Sequence, residues 1–158
     1  MPTSAEVLNA VEEAFAGVPR PEHFMEYLGD PESTEHDELL RARNRETLKI
    51  EDVGNIGWQP LSACSPQGMG YYMPALARLA LSEPTYGFGR YGDTLRIQLE
   101  GRDDFFQFCN REQRMAVSNL LCHLGTLFLE CEWRMAEPEQ FFESAHSWVQ
   151  ESGTAGES

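Results

Sequence analysis

Lysine is almost missing from this chain. Lys49 is the only one, and the 12 basic residues face 26 acids, for a net charge of −14 over 158 residues. A chain so poor in positive charge does not neutralise phosphate, so unassisted binding to nucleic acid or to an anionic membrane is not expected. Long apolar runs are missing too. The richest segment, 117–131, is interrupted by Ser118, Asn119, His123, Thr126 and Glu130, well short of the roughly 18 apolar residues of a membrane span. The opening Met-Pro-Thr-Ser-Ala-Glu has neither the basic nor the apolar region of a secretory signal. The expected location is therefore the cytoplasm, with the four cysteines as reduced thiols.

Motifs of catalysis are equally scarce. There is no C-x-x-C and no H-x-x-x-H, and Cys122 and Cys131 fall on opposite sides of one predicted helix. His36-Asp37-Glu38 offers at most one or two ligands from a solvated helix, so neither a metal nor a cofactor is expected. Ser4, Ser62, Ser65 and Ser118 lack a G-x-S-x-G context. Gly87 and Gly89 form a G-x-G without the third glycine and the following helix of a dinucleotide fingerprint. One thiol has a physical argument for reactivity. Cys109 precedes Asn110, the expected cap of a helix, and the positive end of a helix lowers a thiol pKa. The plainer alternative is a packed thiol among Phe105, Phe106 and Phe108.

What is present points to a packed domain. Hydrophobic residues at 41% exclude a chain that is disordered throughout. The length suits one domain, here 1–152, followed by a small-residue tail, 153–158, expected to be disordered. The stretch 58–81 organises the rest. It carries Trp58, Tyr71 and Tyr72, and residues 58–92 hold a net charge of +1 inside an acidic chain, as an interior segment does. Pro74 suits the first position of a helix over 74–81.

Helical periodicity dominates elsewhere. Residues 4–18 place Val7, Leu8, Val11, Ala14, Phe15 and Val18 on one stripe, with Ser4 as the expected cap. Pro21 opens a short helix with Phe24, Met25 and Leu28, and Gly29-Asp30-Pro31 is a turn. Residues 34–44 run from acids to arginines, matching the helix dipole, with few apolar positions, so a surface helix is expected. Leu95, Ile97 and Leu99 alternate as in a short strand, yet Leu95 and Leu99 also pair as one helical turn does; both readings stay open. The strongest helix is 111–131, with Val117, Leu120, Leu121, Leu124, Leu127, Phe128 and Cys131 in one arc and Gly125 beside it. A last helix starts at about Pro138. The expected fold is mainly α: a compact single-domain bundle of about five or six helices, with at most a short strand near 94–100.

Trp58-x-Pro60-Leu61, Ser65-Pro66-x-Gly68-x-x-Tyr71-Tyr72-x-Pro74-Ala75-Leu76, Phe105-x-x-Phe108 and Gln113-Arg114-x-x-Val117-x-x-Leu120-Leu121 form a further pattern. It resembles an uncharacterised bacterial domain family of small helical proteins of unknown function, over roughly residues 10–130. The resemblance implies a bacterial origin and assigns no catalytic residue.

Two function classes follow, with a non-enzymatic role preferred. Charge is uneven, at −8 over 1–57 and −5 over 135–158. An immunity- or adaptor-like protein would use those acidic ends to cover a basic protein. Its face would carry Glu35, Asp37 and Glu38 with Glu137, Glu139 and Glu143. The alternative is a small-molecule binding protein or minor enzyme with a pocket lined by Trp58, Tyr71, Tyr72, Arg78, Gln113 and Arg114. Gln113 falls inside the apolar arc, where an amide must be bonded. The bland expectation is that Gln113 and Arg114 tie the 105–110 loop or the 58–72 segment to the helix.

Overall fold

A computed structural model describes residues 2–55, 57–82, 85–86, 89–129 and 137–150. The expected tail and Cys131 lie outside them. The first helix, α1 (Ser4–Phe15), is capped one residue before the expected position. Thr3 Oγ1 accepts the Glu6 N–H at 3.1 Å, and Glu6 returns a carboxylate oxygen to the Thr3 N–H at 2.8 Å. Ser4 has no acidic side chain three residues on, so the reciprocal box belongs to Thr3.

No helix forms at Pro21. Met25 instead bridges Cys64 in antiparallel fashion, and the Phe24 and Met25 N–H groups donate to the Asp37 carboxylate at 2.6 and 3.1 Å. An extended segment held by a buried carboxylate has outcompeted the local proline signal. Next, α2 (Pro31–Arg41) begins three residues earlier than expected, because Asp30 caps the Ser33 N–H and Pro31 sits in the first turn. It is less superficial than expected, since His36, Asp37 and Leu40 are buried.

After the short α3 (Ile50–Val53) and a 3-10 turn, Pro60–Ala63, comes α4 (Pro66–Leu81). Its start is Ser65-Pro66, with the Ser65 hydroxyl on the Gly68 N–H, and Pro74 lies inside the helix. The expected start at Pro74 is thus eight residues late; both prolines carry the same start signal, and only Pro66 follows a capping serine. Two strands of two residues, β1 (Thr85–Tyr86) and β2 (Gly89–Arg90), pair antiparallel as Thr85 with Arg90 and Tyr86 with Gly89.

The open question at 94–100 resolves as helix: α5 spans Tyr91–Leu99. Leu95 and Leu99 are buried together while Ile97 is 53% exposed, the pattern of a helical turn rather than of a strand. Then follow α6 (Asp103–Phe108), α7 (Arg111–Leu129) and α8 (Pro138–Val149). The fold is mainly α, and among the described residues the short α3 and α6 raise the helix number to eight, above the expected five or six.

Packing follows the apolar stripes. α7 lies along α8 on one side and α1 on another, and touches α4 more lightly; α4 in turn packs on α1, α5 and α6. The most buried helix is α4, with eleven buried residues in its 16 against ten in the 19 of α7. Gly125 permits the α7–α8 approach. A methyl there would meet Phe142 Cε1 at 2.8 Å and Phe141 Cβ at 2.9 Å. Phe128 and Phe141 meet across the same seam with ring centres 4.6 Å apart and planes tilted by 49°.

Candidate functional site

None of the six residues expected to line a pocket lines the groove between α5, α6 and α8. Tyr72 is fully buried on α4, its hydroxyl donating to the Leu40 carbonyl, and burial raises its pKa to about 12. Tyr71 lies beneath two guanidinium groups, Arg45 at 4.6 Å and Arg20 at 5.2 Å from the ring centre. Arg78 is spent on the Arg45 and Leu48 carbonyls, at 3.0 Å each. Trp58 packs on His36 with ring centres 4.2 Å apart. Gln113 completes a box with Asn110 and donates its side-chain amide to the Ala14 carbonyl at 3.1 Å, fastening α7 to the end of α1. Arg114 donates to the Phe106 carbonyl at 2.9 Å and covers the Phe106 ring at 4.0 Å. The bland reading of Arg114 holds. It holds for Gln113 as well, whose side-chain oxygen accepts from the Asn110 N–H of the 105–110 loop while its amide also reaches α1.

Several arginines share one pattern of use. Arg20 bonds the Arg41 carbonyl at the end of α2, and Arg45 bonds the Phe15 carbonyl at the end of α1. Arg102 bonds the Leu61 and Cys64 carbonyls of the 3-10 turn at 2.9 and 2.7 Å. The last carbonyls of a helix lack intrahelical donors and carry partial negative charge, so a guanidinium answers both needs. Arg43 instead pairs with the buried Asp52, and Arg96 with Asp93 and Glu100. None of Arg43, Arg45, Arg78, Arg96, Arg102 and Arg114 is exposed, whereas every described glutamate is. Those six cations are turned inward, Arg20, Arg41, Lys49 and Arg111 are exposed, and the described glutamates face outward.

Of the expected partner face, Glu35 and Glu38 on α2 are exposed, as are Glu137, Glu139 and Glu143 at α8. Asp37 is not available to a partner: it is 2% exposed and committed to His23, Phe24 and Met25. The rotation of about 100° per residue in a helix turns His36 and Asp37 inward while Glu35 and Glu38 face out. α2 packs on the 3-10 turn and α8 on α7, so different parts of the molecule hold the two acidic helices.

A groove of about 720 Å³ opens where α5 and α6 face α8. Phe106 and Trp148 form an aromatic wall, their rings 5.3 Å apart, and Leu99 adds apolar surface. Ser144 and Ser147 line it from α8, while Glu100, Asp103 and Gln107 line it from the opposite side. Arg96 and Arg102 also reach it, with their guanidinium groups already bonded to Asp93, Glu100, Asp104 and two carbonyls. No motif marks these residues, since they come from two segments some forty positions apart.

Other reactive side chains are quiet. Cys109 is 3% exposed and burial pushes its thiol up to about 12, against the lowering expected from the neighbouring helix start. Burial likewise raises Cys64 to about 12, and Cys122 is exposed. His123 meets the Ser4 hydroxyl through Nε2 at 2.9 Å, while its buried Nδ1 has no hydrogen-bond partner. Burial lowers its pKa. No group of three or more His, Cys, Asp or Glu is placed to hold a metal ion among the described residues. None of their helices is long and apolar enough to cross a membrane. Comparison with family models, curated proteins and solved structures finds no match, which leaves the family resemblance resting on its motif residues alone.

Proposed function

We propose that this is a non-enzymatic interaction protein of the cytoplasm that docks a basic protein partner, in the manner of an immunity or adaptor protein. One observation carries the reading: Arg43, Arg45, Arg78, Arg96, Arg102 and Arg114 are bonded to internal carbonyls and carboxylates, while every described glutamate reaches solvent. The net charge of −14 is therefore presented to a partner mainly by glutamate carboxylates, because those guanidinium groups are already bonded within the molecule. Opposed charge of this kind accelerates encounter more than it tightens the complex, and salt screens it over about 8–10 Å.

Glu35 and Glu38 on α2 and Glu139 and Glu143 on α8 are the acids through which the partner is met. Stopped-flow association with a basic partner recovered at low salt tests the reading. The on-rate should fall steeply with added salt while dissociation changes little. Glu35→Gln with Glu38→Gln should slow association and leave the fold intact, since exposed substitutions stay within about 0.5 kcal/mol of neutral. An acidic partner, or an on-rate indifferent to salt, would remove the proposal.

A further inference from the structure

The groove between α5, α6 and α8 has a lining whose chemistry is lopsided once its internal bonds are assigned. Both arginines are closed to an incoming anion. Arg96 gives Nε and Nη2 to Asp93 at 3.3 and 3.0 Å and Nη1 to Glu100 at 2.6 Å. Arg102 gives Nε to Asp104 at 2.9 Å and both terminal nitrogens to carbonyls. What remains open is mostly acceptor. The exposed Asp103 carboxylate has no hydrogen bond or ion pair with any described residue, and Glu100 uses only one of its two oxygens. Beside these acceptors stands the Phe106–Trp148 wall, with Phe106 only half-buried.

Carboxylates next to an aromatic surface suit a flat, donor-rich cation. A guanidinium carries five N–H donors in one plane and stacks on aromatic rings. This molecule uses that pairing repeatedly, with Arg114 at 4.0 Å over Phe106 and Arg45 at 4.6 Å over Tyr71. The volume, about 720 Å³, admits a side chain with its backbone, within the usual ~300–1,000 Å³ of ligand sites. We propose that this groove is the anchor site for an arginine side chain of the partner, held by Asp103 and Glu100 and packed against the half-buried Phe106, with the buried Trp148 behind it. The proposal rests on the interaction reading above and gives it a specific site: a desolvated arginine is a common centre of binding energy in protein interfaces.

Two probes test it on the intact protein by amide and indole NMR. N-acetyl-arginine amide should shift the Trp148 indole N–H and the Ser144 and Ser147 amides saturably, and its neutral isostere N-acetyl-citrulline amide should not. Asp103→Asn should weaken the arginine probe about fivefold or more, for loss of one charge-assisted contact. Glu12→Gln, an equal charge change at an exposed position of α1 outside the groove lining, should leave it unchanged. Equal weakening by both variants, shifts spread over the whole acidic surface, or a citrulline response equal to that of arginine would overturn the site. A hexa-arginine peptide separates the two readings. Salt-sensitive binding that survives Asp103→Asn would remove the groove and leave the acidic surface standing, whereas no binding at low salt would remove both.

Discussion

Asp37 and His23 stand 2.8 Å apart in a pair that meets water from one side only: the histidine side chain is 43% exposed and the aspartate 4%. The second Asp37 oxygen takes the Phe24 and Met25 N–H groups, so this one carboxylate holds the 24–25 segment against α2. Removing it in Asp37→Ala orphans two buried donors, each worth ~1–3 kcal/mol. Denaturant unfolding should show a loss of about 2–4 kcal/mol.

Acid should expose the same group. Burial by itself raises the Asp37 pKa, but the bonds from His23, Met25 and Phe24 outweigh it and hold the carboxyl below its ordinary 3.8. Its contribution is complete above 3.8 and is lost as pH falls through the lower folded value, because the unfolded chain binds the proton first. Unfolding curves collected from pH 5 downward should steepen below about 4 in the native chain, and Asp37→Asn should flatten that limb.

His123 gives a second, separate pH dependence. Above 6.5 it is neutral whether folded or not; below 6.5 the unfolded chain takes a proton that burial keeps off the folded one. Stability should therefore fall as pH drops through 6.5 and level off only beneath the lowered folded value. His123→Gln should remove this part of the slope between pH 7.5 and 5. A slope identical in both proteins would show that His123 is accessible to protons in the folded state.

The α7–α8 seam and the centre of α7 should fail in opposite senses. Leu124 is 1% exposed, and Leu124→Ala leaves a cavity expected to cost about 2–5 kcal/mol. Gly125→Ala puts a methyl where Phe141 Cβ would stand 2.9 Å away, and forcing the helices apart should cost about 1–3 kcal/mol. Thermal melts of the two variants would check both. No change in Gly125→Ala would mean that α8 yields without strain.

Arg45→Met measures the inward arginines. The substitution leaves the Phe15 and Tyr71 carbonyls without their donor, at 2.9 and 2.6 Å, and uncovers one face of Tyr71. Stability should drop by about 2–3 kcal/mol, given ~1.5–3 for a hydrogen bond to a charged group. Arg41→Met, at an exposed arginine, should stay within about 0.5 kcal/mol.

Legibility in the sequence followed the physics of each element. α1, α7 and α8 carry apolar stripes at helical spacing, and periodicity alone located them. α5 stayed ambiguous because Leu95, Ile97 and Leu99 fit both periods until the exposure of Ile97 decides between them. The start of α4 was misplaced because two prolines offered the same signal. Site residues were harder for a different reason. Tyr72, Arg78, Gln113 and Arg114 look like pocket chemistry in sequence, yet each is answered by a backbone carbonyl, and carbonyls leave no trace in residue types. The groove was invisible because it needs 96–107 and 144–150 brought together, and neither segment has a motif of its own.

The separation of inward arginines from outward glutamates also governs how the molecule meets its isoelectric point, near pH 4.6. The net charge vanishes there because carboxyl groups take up protons, while guanidinium groups keep their charge to above about 12. Acidification then neutralises the coat before it touches the clamps on α1, α2 and the 3-10 turn. Precipitation and unfolding become distinct events carried by distinct side chains. Protein that flocculates near pH 4.6 should redissolve, still folded, when the buffer is returned to neutrality.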